Sequence, residues 1–276
     1  MHELVNNYHI AVPTAFFADE EMNTEATMQH IMNLYGLGVK SVLICGTTGE
    51  QHSLSLAEKL QLLEAINRSA AIPADLEIIF GVASIRQKDA VAVAEAVNAS
   101  VKISGVMLGF PPYIMPSQRE AAIYVQAIAA MVDKPIILYN NPRRTAFNLE
   151  LETFSELLSL PNIVGIKEAG DSDRIPALLA DSDRKIAVYA GGEIDLAKKI
   201  KLGVTRLSSM TGNLYPKEVE AYFVGLMQGD PDQDLSVVIE AEIGKVFAAN
   251  PIVYLKNEIT KRTTADMGSA RSPIGN

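Results

Sequence analysis

The sequence predicts an α/β fold, a (β/α)8 TIM barrel followed by a small C-terminal helical domain. Three observations carry this expectation. Short apolar runs alternate along the chain with amphipathic segments. The repeat from one run to the next is roughly 25–35 residues, the size of a βα unit. No GxGxxG or GxxxxGK[ST] turn is present. An open doubly wound sheet, the alternative arrangement, would be expected to carry a glycine-rich phosphate turn at its switch point.

The strand candidates are 10–13, 41–45, 76–81, 105–108, 135–139, 163–167, 186–190 and a weaker 205–208. Each is short and apolar, as expected of parallel strands covered on both faces. A helix over 24–35 follows Asn23 as its N-cap. The segment 55–67 places Leu56, Leu60, Leu63 and Ile66 at helical spacing, and 89–98, 117–131, 151–158 and 194–202 follow suit. After the eighth unit a helix over 216–227 precedes a break at Gly229-Asp230-Pro231-Asp232, and two further helices are expected from about Asp234. The expected division is a catalytic barrel over 1–228 and a helical appendage over 229–276.

Composition narrows the function classes. The chain has 276 residues, 48% hydrophobic and 21% charged, an ordinary globular balance. A net charge of −9 without a Lys/Arg run argues against nonspecific nucleic-acid or anionic-membrane binding. The start, MHELVNNYHIAVP, lacks the features of a signal peptide, and no apolar stretch approaches the ~20 residues that span a bilayer. The one cysteine, Cys45, permits no internal disulfide, which points to a reducing cytoplasm. His2, His9, His30 and His52 form no HxxxH pair, so neither a zinc site nor another cofactor is expected.

The chemistry centres on the stretch 162–170, NIVGIKEAG. Ile163, Val164 and Ile166 read as a buried strand with Lys167 near its end. Burial disfavours the charged ammonium, and a neutral amine can form a Schiff base with a carbonyl substrate. The competing reading is a lysine whose stem packs while its head reaches water. In a barrel the active site lies at the C-terminal strand ends. Those ends here carry Gly46-Thr47-Thr48-Gly49-Glu50, Phe110-Pro111-Pro112-Tyr113, Tyr139-Asn140-Asn141-Pro142-Arg143-Arg144-Thr145, Lys167-Glu168, Gly191-Gly192-Glu193 and Ser208-Ser209.

Gly46 and Gly49 let the backbone turn so that Thr47 and Thr48 can point at one anion, such as the carboxylate of a small 2-keto acid. A plain threonine-capped turn is the alternative. Tyr139 can relay protons near Lys167, or simply finish the barrel core. Arg144 can grip a second carboxylate in bidentate fashion, or sit exposed in its loop. Cys45 reads as a small buried hydrophobe, and Glu50 as a structural partner of loop N–H groups.

On these residues the sequence resembles the dihydrodipicolinate synthase and N-acetylneuraminate lyase family of class I aldolases. GTTGE at 46–50, YNNPxRT at 139–145 and GIKEA at 165–169 stand in the family's order and spacing. Pro116-Ser117-Gln118 and Ala249-Asn250-Pro251-Ile252 also match. The resemblance covers nearly the whole chain. It implies the barrel with C-terminal helices, no metal, and a homotetramer built as a dimer of dimers. Lys167 would be the Schiff-base residue, Tyr139 the proton relay and Thr47 its partner, with Tyr113 reaching into a neighbouring subunit's site. Thr48 would hold the carboxylate of pyruvate, and Gly191 and the main chain at Ser208 would border the substrate. Arg144 matches the arginine that binds the aldehyde's carboxylate in the synthases.

The chain departs from the family at Ala146, at Arg206 and Ser208, and at Pro112 and Ile85. It also ends soon after Ser272-Pro273-Ile274, so that, against the family, a last helix that is short or absent is expected. Three functions follow from these residues: condensation of pyruvate with aspartate semialdehyde, cleavage or dehydration of a 2-keto-3-deoxy sugar acid, or non-catalytic sensing of a keto acid. Pro112 and Ile85 replace a tyrosine and an asparagine where many synthases bind lysine as a feedback inhibitor. Each lost hydrogen-bond partner costs a charged ligand roughly 1–3 kcal/mol, about tenfold or more in affinity. Lysine added to the assay is therefore expected to inhibit weakly or not at all; strong inhibition at low lysine concentration would refute this.

Overall fold

The structure is a computed structural model and describes residues 3–180, 182 and 184–275. His2 lies outside the described residues. Among these, eight parallel strands close into a barrel in sequence order. They are β1 (Tyr8–Ala11), β2 (Ser41–Ile44), β3 (Glu77–Val82), β4 (Gly105–Gly109), β5 (Ile136–Asn140), β6 (Ile163–Glu168), β7 (Ala187–Gly191) and β8 (Arg206–Ser209). The open sheet is thereby excluded: β1 pairs with β8 through Tyr8↔Leu207 and His9↔Ser208.

The first strand starts two residues earlier than its apolar run predicts. Val12 still donates its N–H to Leu43, but Pro13 has no N–H with which to continue the ladder. The helices are α1 (Thr24–Gly36), α2 (Leu56–Arg68), α3 (Gln87–Ala99), α4 (Gln118–Ala129), the single turn α5 (Pro142–Thr145), α6 (Leu151–Leu157), α7 (Ile175–Ala180), α8 (Leu196–Lys201), α9 (Pro216–Gln228), α10 (Gln233–Phe247) and α11 (Pro251–Arg262). Asn23 caps α1 as expected, and Ser55 and Ser117 open α2 and α4 with full capping boxes. The periodicity of the sequence does not reveal α5 and α7. Both are short, and both carry proline in the first turn, where its missing N–H does no harm.

Side chains alternate between two environments. Outward residues of the strands pack under the helices as the main core, with Ile10, Val42, Ile78, Val106, Leu138, Ile166 and Val188 fully or almost fully buried. Inward residues make a smaller core of Ala11, Leu43, Ile79, Met107, Ile137 and Tyr189, closed from below by Leu4. Helices α10 and α11 lie over the other end. There Val246, Leu255, Ile259 and Met267 form a third cluster with Ala15 and Ala26.

Backbone clearance sets the entry to the turn after β2. Cys45 has a left-handed backbone (φ 56°), and its carbonyl oxygen would lie 2.0 Å from a Cβ at Gly81 on β3. Only glycine clears that oxygen. Gly81→Ala is expected to cost about 1–3 kcal/mol, read as a lowered urea midpoint. Gly244, within α10, has no atom within 4 Å of an added Cβ. Gly244→Ala should instead stabilise the fold by about 0.5–1 kcal/mol, so opposite shifts check both statements.

Candidate active site

The strand register sets the chemistry-bearing residues side by side. Tyr139 on β5 is the partner of Lys167 on β6, and Lys167 is in turn the partner of Tyr189 on β7. Gly191 on β7 pairs with Ser208 on β8. Alternation then points Tyr139, Lys167 and Ser208 into the same barrel mouth. The Lys167 ammonium donates to Ser208 Oγ at 2.8 Å and sits 4.6 Å above the centre of the Tyr139 ring. Lys167 is 7% exposed, and burial pulls its pKa down to about 8; Glu193 opposes this from a distance. Among the described residues no carboxylate forms an ion pair with this amine.

The Tyr139 phenol is held by a side chain of the loop that follows its own strand. Its Oη accepts a hydrogen bond from Asn141 Nδ2 at 2.6 Å, and Thr47 borders the same cavity. Burial raises its pKa, and the Asn141 and Thr47 side chains act against that rise. Behind it, Asn140 ties two strand ends together. Its Nδ2 donates to both Glu168 oxygens at 3.0 and 2.9 Å, and its Oδ1 accepts from Leu149 N at 3.0 Å. Glu168 also accepts from Gly170 N at 2.7 Å, and Arg174 lies 3.6 Å away. Glu168 is thus a buried strut, not a group facing the cavity.

Six of the predicted residues, Thr47, Thr48, Tyr139, Arg144, Gly191 and Ser208, line one cavity of about 230 Å³ together with Lys167. Phe247, Pro251 and Ile252 from the C-terminal helices also line it. A second cavity of about 320 Å³ adjoins it, sharing Thr47, Tyr139, Asn141 and Arg144 and extending to His52, Phe110 and Ile274. Arg143 also borders the lysine cavity, and Arg144 borders both cavities. Ser208 meets the lysine through its side chain, not only its main chain. Glu50 is a structural partner as expected, and the loop N–H that it serves belongs to the C-terminal segment. It accepts from Lys256 Nζ at 3.1 Å and from Arg271 N at 3.0 Å. Tyr113 joins neither cavity of its own chain and is 86% exposed on a left-handed backbone (φ 76°).

Cys45 is fully buried as expected, its thiol pushed up to about 12. Sequence reasoning missed Asn141 and the roof from α10 and α11. The signals were present: Asn141 stands inside the YNNPxRT match, and Pro251 and Ile252 inside Ala249-Asn250-Pro251-Ile252.

Comparison with known proteins agrees with this geometry. The family model described as "Dihydrodipicolinate synthetase family" matches residues 5–276. A 4-hydroxy-tetrahydrodipicolinate synthase of Stenotrophomonas maltophilia (strain R551-3) is 35% identical over 212 residues, covering 75% of this chain and 69% of the relative. The crystal structure of dihydrodipicolinate synthase from Aquifex aeolicus superposes with a TM-score of 0.89 at 25% identity, over 98% of this chain and 92% of that one. A chloride-inhibited dihydrodipicolinate synthase from Acinetobacter baumannii, solved in complex with pyruvate, gives a TM-score of 0.84 at 28% identity, over 98% and 92%. The match runs through the barrel and the C-terminal helices that roof its mouth, and the chain therefore belongs to the dihydrodipicolinate synthetase family, whose members are lyases of the class I aldolase type.

Proposed function

We propose that this chain condenses pyruvate with an aldehyde through an imine on Lys167, and that the aldehyde is aspartate semialdehyde, as in a 4-hydroxy-tetrahydrodipicolinate synthase. The observation that carries the reading is the buried Lys167 amine, with no carboxylate partner among the described residues, in one cavity with Thr47, Thr48 and Tyr139. The neutral amine attacks the ketone carbon of pyruvate, and water leaves as the imine forms. Thr48 and Thr47 hold the pyruvate carboxylate. Tyr139, with Thr47 in the same cavity, carries protons to and from the reacting oxygen and carbon. Loss of a C3 proton gives the enamine, whose C3 attacks the aldehyde carbon. Arg144 binds the acceptor's own carboxylate, which fits its place between the two cavities. Gly191 and Ser208 border the imine. Tyr113 completes the relay in a neighbouring copy within a homotetramer, and the enzyme works in the cytoplasm. The adjoining cavity favours a second reading, a longer sugar-acid acceptor handled by the same imine.

Borohydride added with pyruvate is expected to leave one reduced pyruvate on the tryptic peptide containing Lys167. A label elsewhere, or none, refutes the mechanism. Because only the neutral amine attacks and the pKa lies at about 8, the trapping rate should rise about tenfold per pH unit up to pH 8 and flatten above it. A rate independent of pH between 6 and 8 would contradict the role of burial.

Arg144→Ala is expected to lower kcat/KM for aspartate semialdehyde by about one to two decades, the worth of a charge-assisted bidentate pair, with imine trapping nearly normal. Arg143→Ala should have the smaller effect on the acceptor. A larger effect from Arg143 would reassign the carboxylate to that side chain. No effect from either would replace aspartate semialdehyde by an acceptor lacking a carboxylate, which an aldehyde panel would then identify.

A further inference from the structure

Asn141 stands at the N-cap of α5, where an asparagine ordinarily turns back to accept a hydrogen bond from an N–H of its own first turn. Here it makes no such bond. The helix start is served by the main chain instead: Asn141 O accepts from Arg144 N at 3.0 Å, Thr145 N at 3.1 Å and Thr145 Oγ1 at 3.1 Å. Pro142 at the first helical position has no N–H to satisfy. The side chain, released from capping, reaches across to Tyr139 Oη at 2.6 Å and lines both cavities. Its neighbour Asn140 is fully engaged in tying Glu168 to the segment before α6, so the two adjacent asparagines do different work.

We propose that Asn141 is a positioning residue for the condensation, its amide N–H holding the Tyr139 oxygen so that the phenol proton points toward Thr47 and substrate, and so that the phenolate is met by a donor when that proton leaves. The inference rests on the proposed role of Tyr139. With Nδ2 occupying one lone pair, the phenol has its O–H direction restricted to the remaining side of the oxygen, and Thr47 borders the same two cavities. As the proton moves to substrate, negative charge grows on Oη inside a buried site, and a hydrogen bond to a charged oxygen is stronger than one to a neutral oxygen. The donor is fixed beforehand by β5 and by the first turn of α5, so no reorganisation is needed at the moment of transfer.

The test uses the full chain and two variants with the same number of side-chain heavy atoms as asparagine. Asn141→Leu removes the donor, and Asn141→Asp replaces it with a group that only accepts. Both are expected to retain borohydride labelling of Lys167 and a KM for pyruvate within about twofold of the parent. Both should lose about tenfold to a hundredfold in kcat, the range for removing one preorganised donor or somewhat less. In Asn141→Leu the alkaline limb of the kcat/KM–pH profile, set by loss of the phenol proton, should move up by about one pH unit while the acid limb set by the free Lys167 amine stays in place; in Asn141→Asp the new carboxylate borders the lysine cavity, and both limbs should move up. A merely structural role would lower the yield of folded enzyme without moving one limb alone. An unchanged kcat and profile in either variant, with Lys167 labelled, overturns the inference by itself; if Asn141→Leu fails to fold, Asn141→Asp decides it. Failure to label Lys167 in the parent overturns the underlying reading and this inference with it.

Discussion

A parallel sheet that closes on itself has one interior and no edge, and its eight strands must fill that interior with inward side chains. In this protein the lower part is filled by Leu43, Ile79, Met107, Ile137 and Tyr189, with Leu4 beneath. The mouth is where Lys167 emerges. Closure denies its ammonium both bulk water and a paired carboxylate, leaving Ser208 Oγ as its partner. This one desolvation organises the rest of the site. It holds the amine's pKa at about 8, and the proposed imine chemistry requires a proton-handling group within the same closed space. The register supplies Tyr139 on the adjoining strand.

A second buried charge is handled in the opposite way. Lys256 on α11 and Glu50 beyond β2 have side chains with 0% exposure and meet at 3.1 Å. The ammonium also donates to Ser269 O at 2.7 Å and lies 4.2 Å from the centre of the Phe16 ring. Glu50 completes its set with Arg271 N. Paired and hydrogen-bonded, this lysine is structural, and it couples the C-terminal segment to the turn carrying Thr47 and Thr48. Removing one member would leave the other charged and unpaired in the interior, which is strongly destabilising. The same coupling brings Phe247, Pro251 and Ile252 over the cavity, so the C-terminal helices are part of the mouth and not merely attached to the barrel.

The barrel floor carries a further polar group. His9 on β1 is fully buried beside Tyr189, their ring centroids 5.4 Å apart, and both its ring nitrogens lack partners among the described residues. Burial first, then the positive charges of Lys167 and Arg206, push its pKa well down, so it stays neutral. Arg206 spans from the Tyr189 hydroxyl, at 3.2 Å, to the carbonyls of Asn6 and Leu4. Arg206 thus ties the start of β8 to the N-terminal segment.

By itself the sequence determined the alternation of short apolar runs and amphipathic segments, because parallel strands buried on both faces leave that pattern in the residues. It also determined the candidate lysine, since an amine at the end of an apolar strand is legible as a burial problem, and the motifs around 46–50, 139–145 and 165–169. Tertiary structure alone decided what depends on angles and on distant partners. Glu50 met Lys256 across more than two hundred residues of chain, a pairing no local pattern encodes. Arg143 and Arg144 are adjacent in sequence and both border the lysine cavity, because the single turn of α5 rotates them without setting one to the back. The short helices α5 and α7 escaped notice because too few residues carry a period. Asn141 precedes Pro142 as an ordinary helix cap would; only the register that placed Tyr139 within its reach turned its amide toward the phenol.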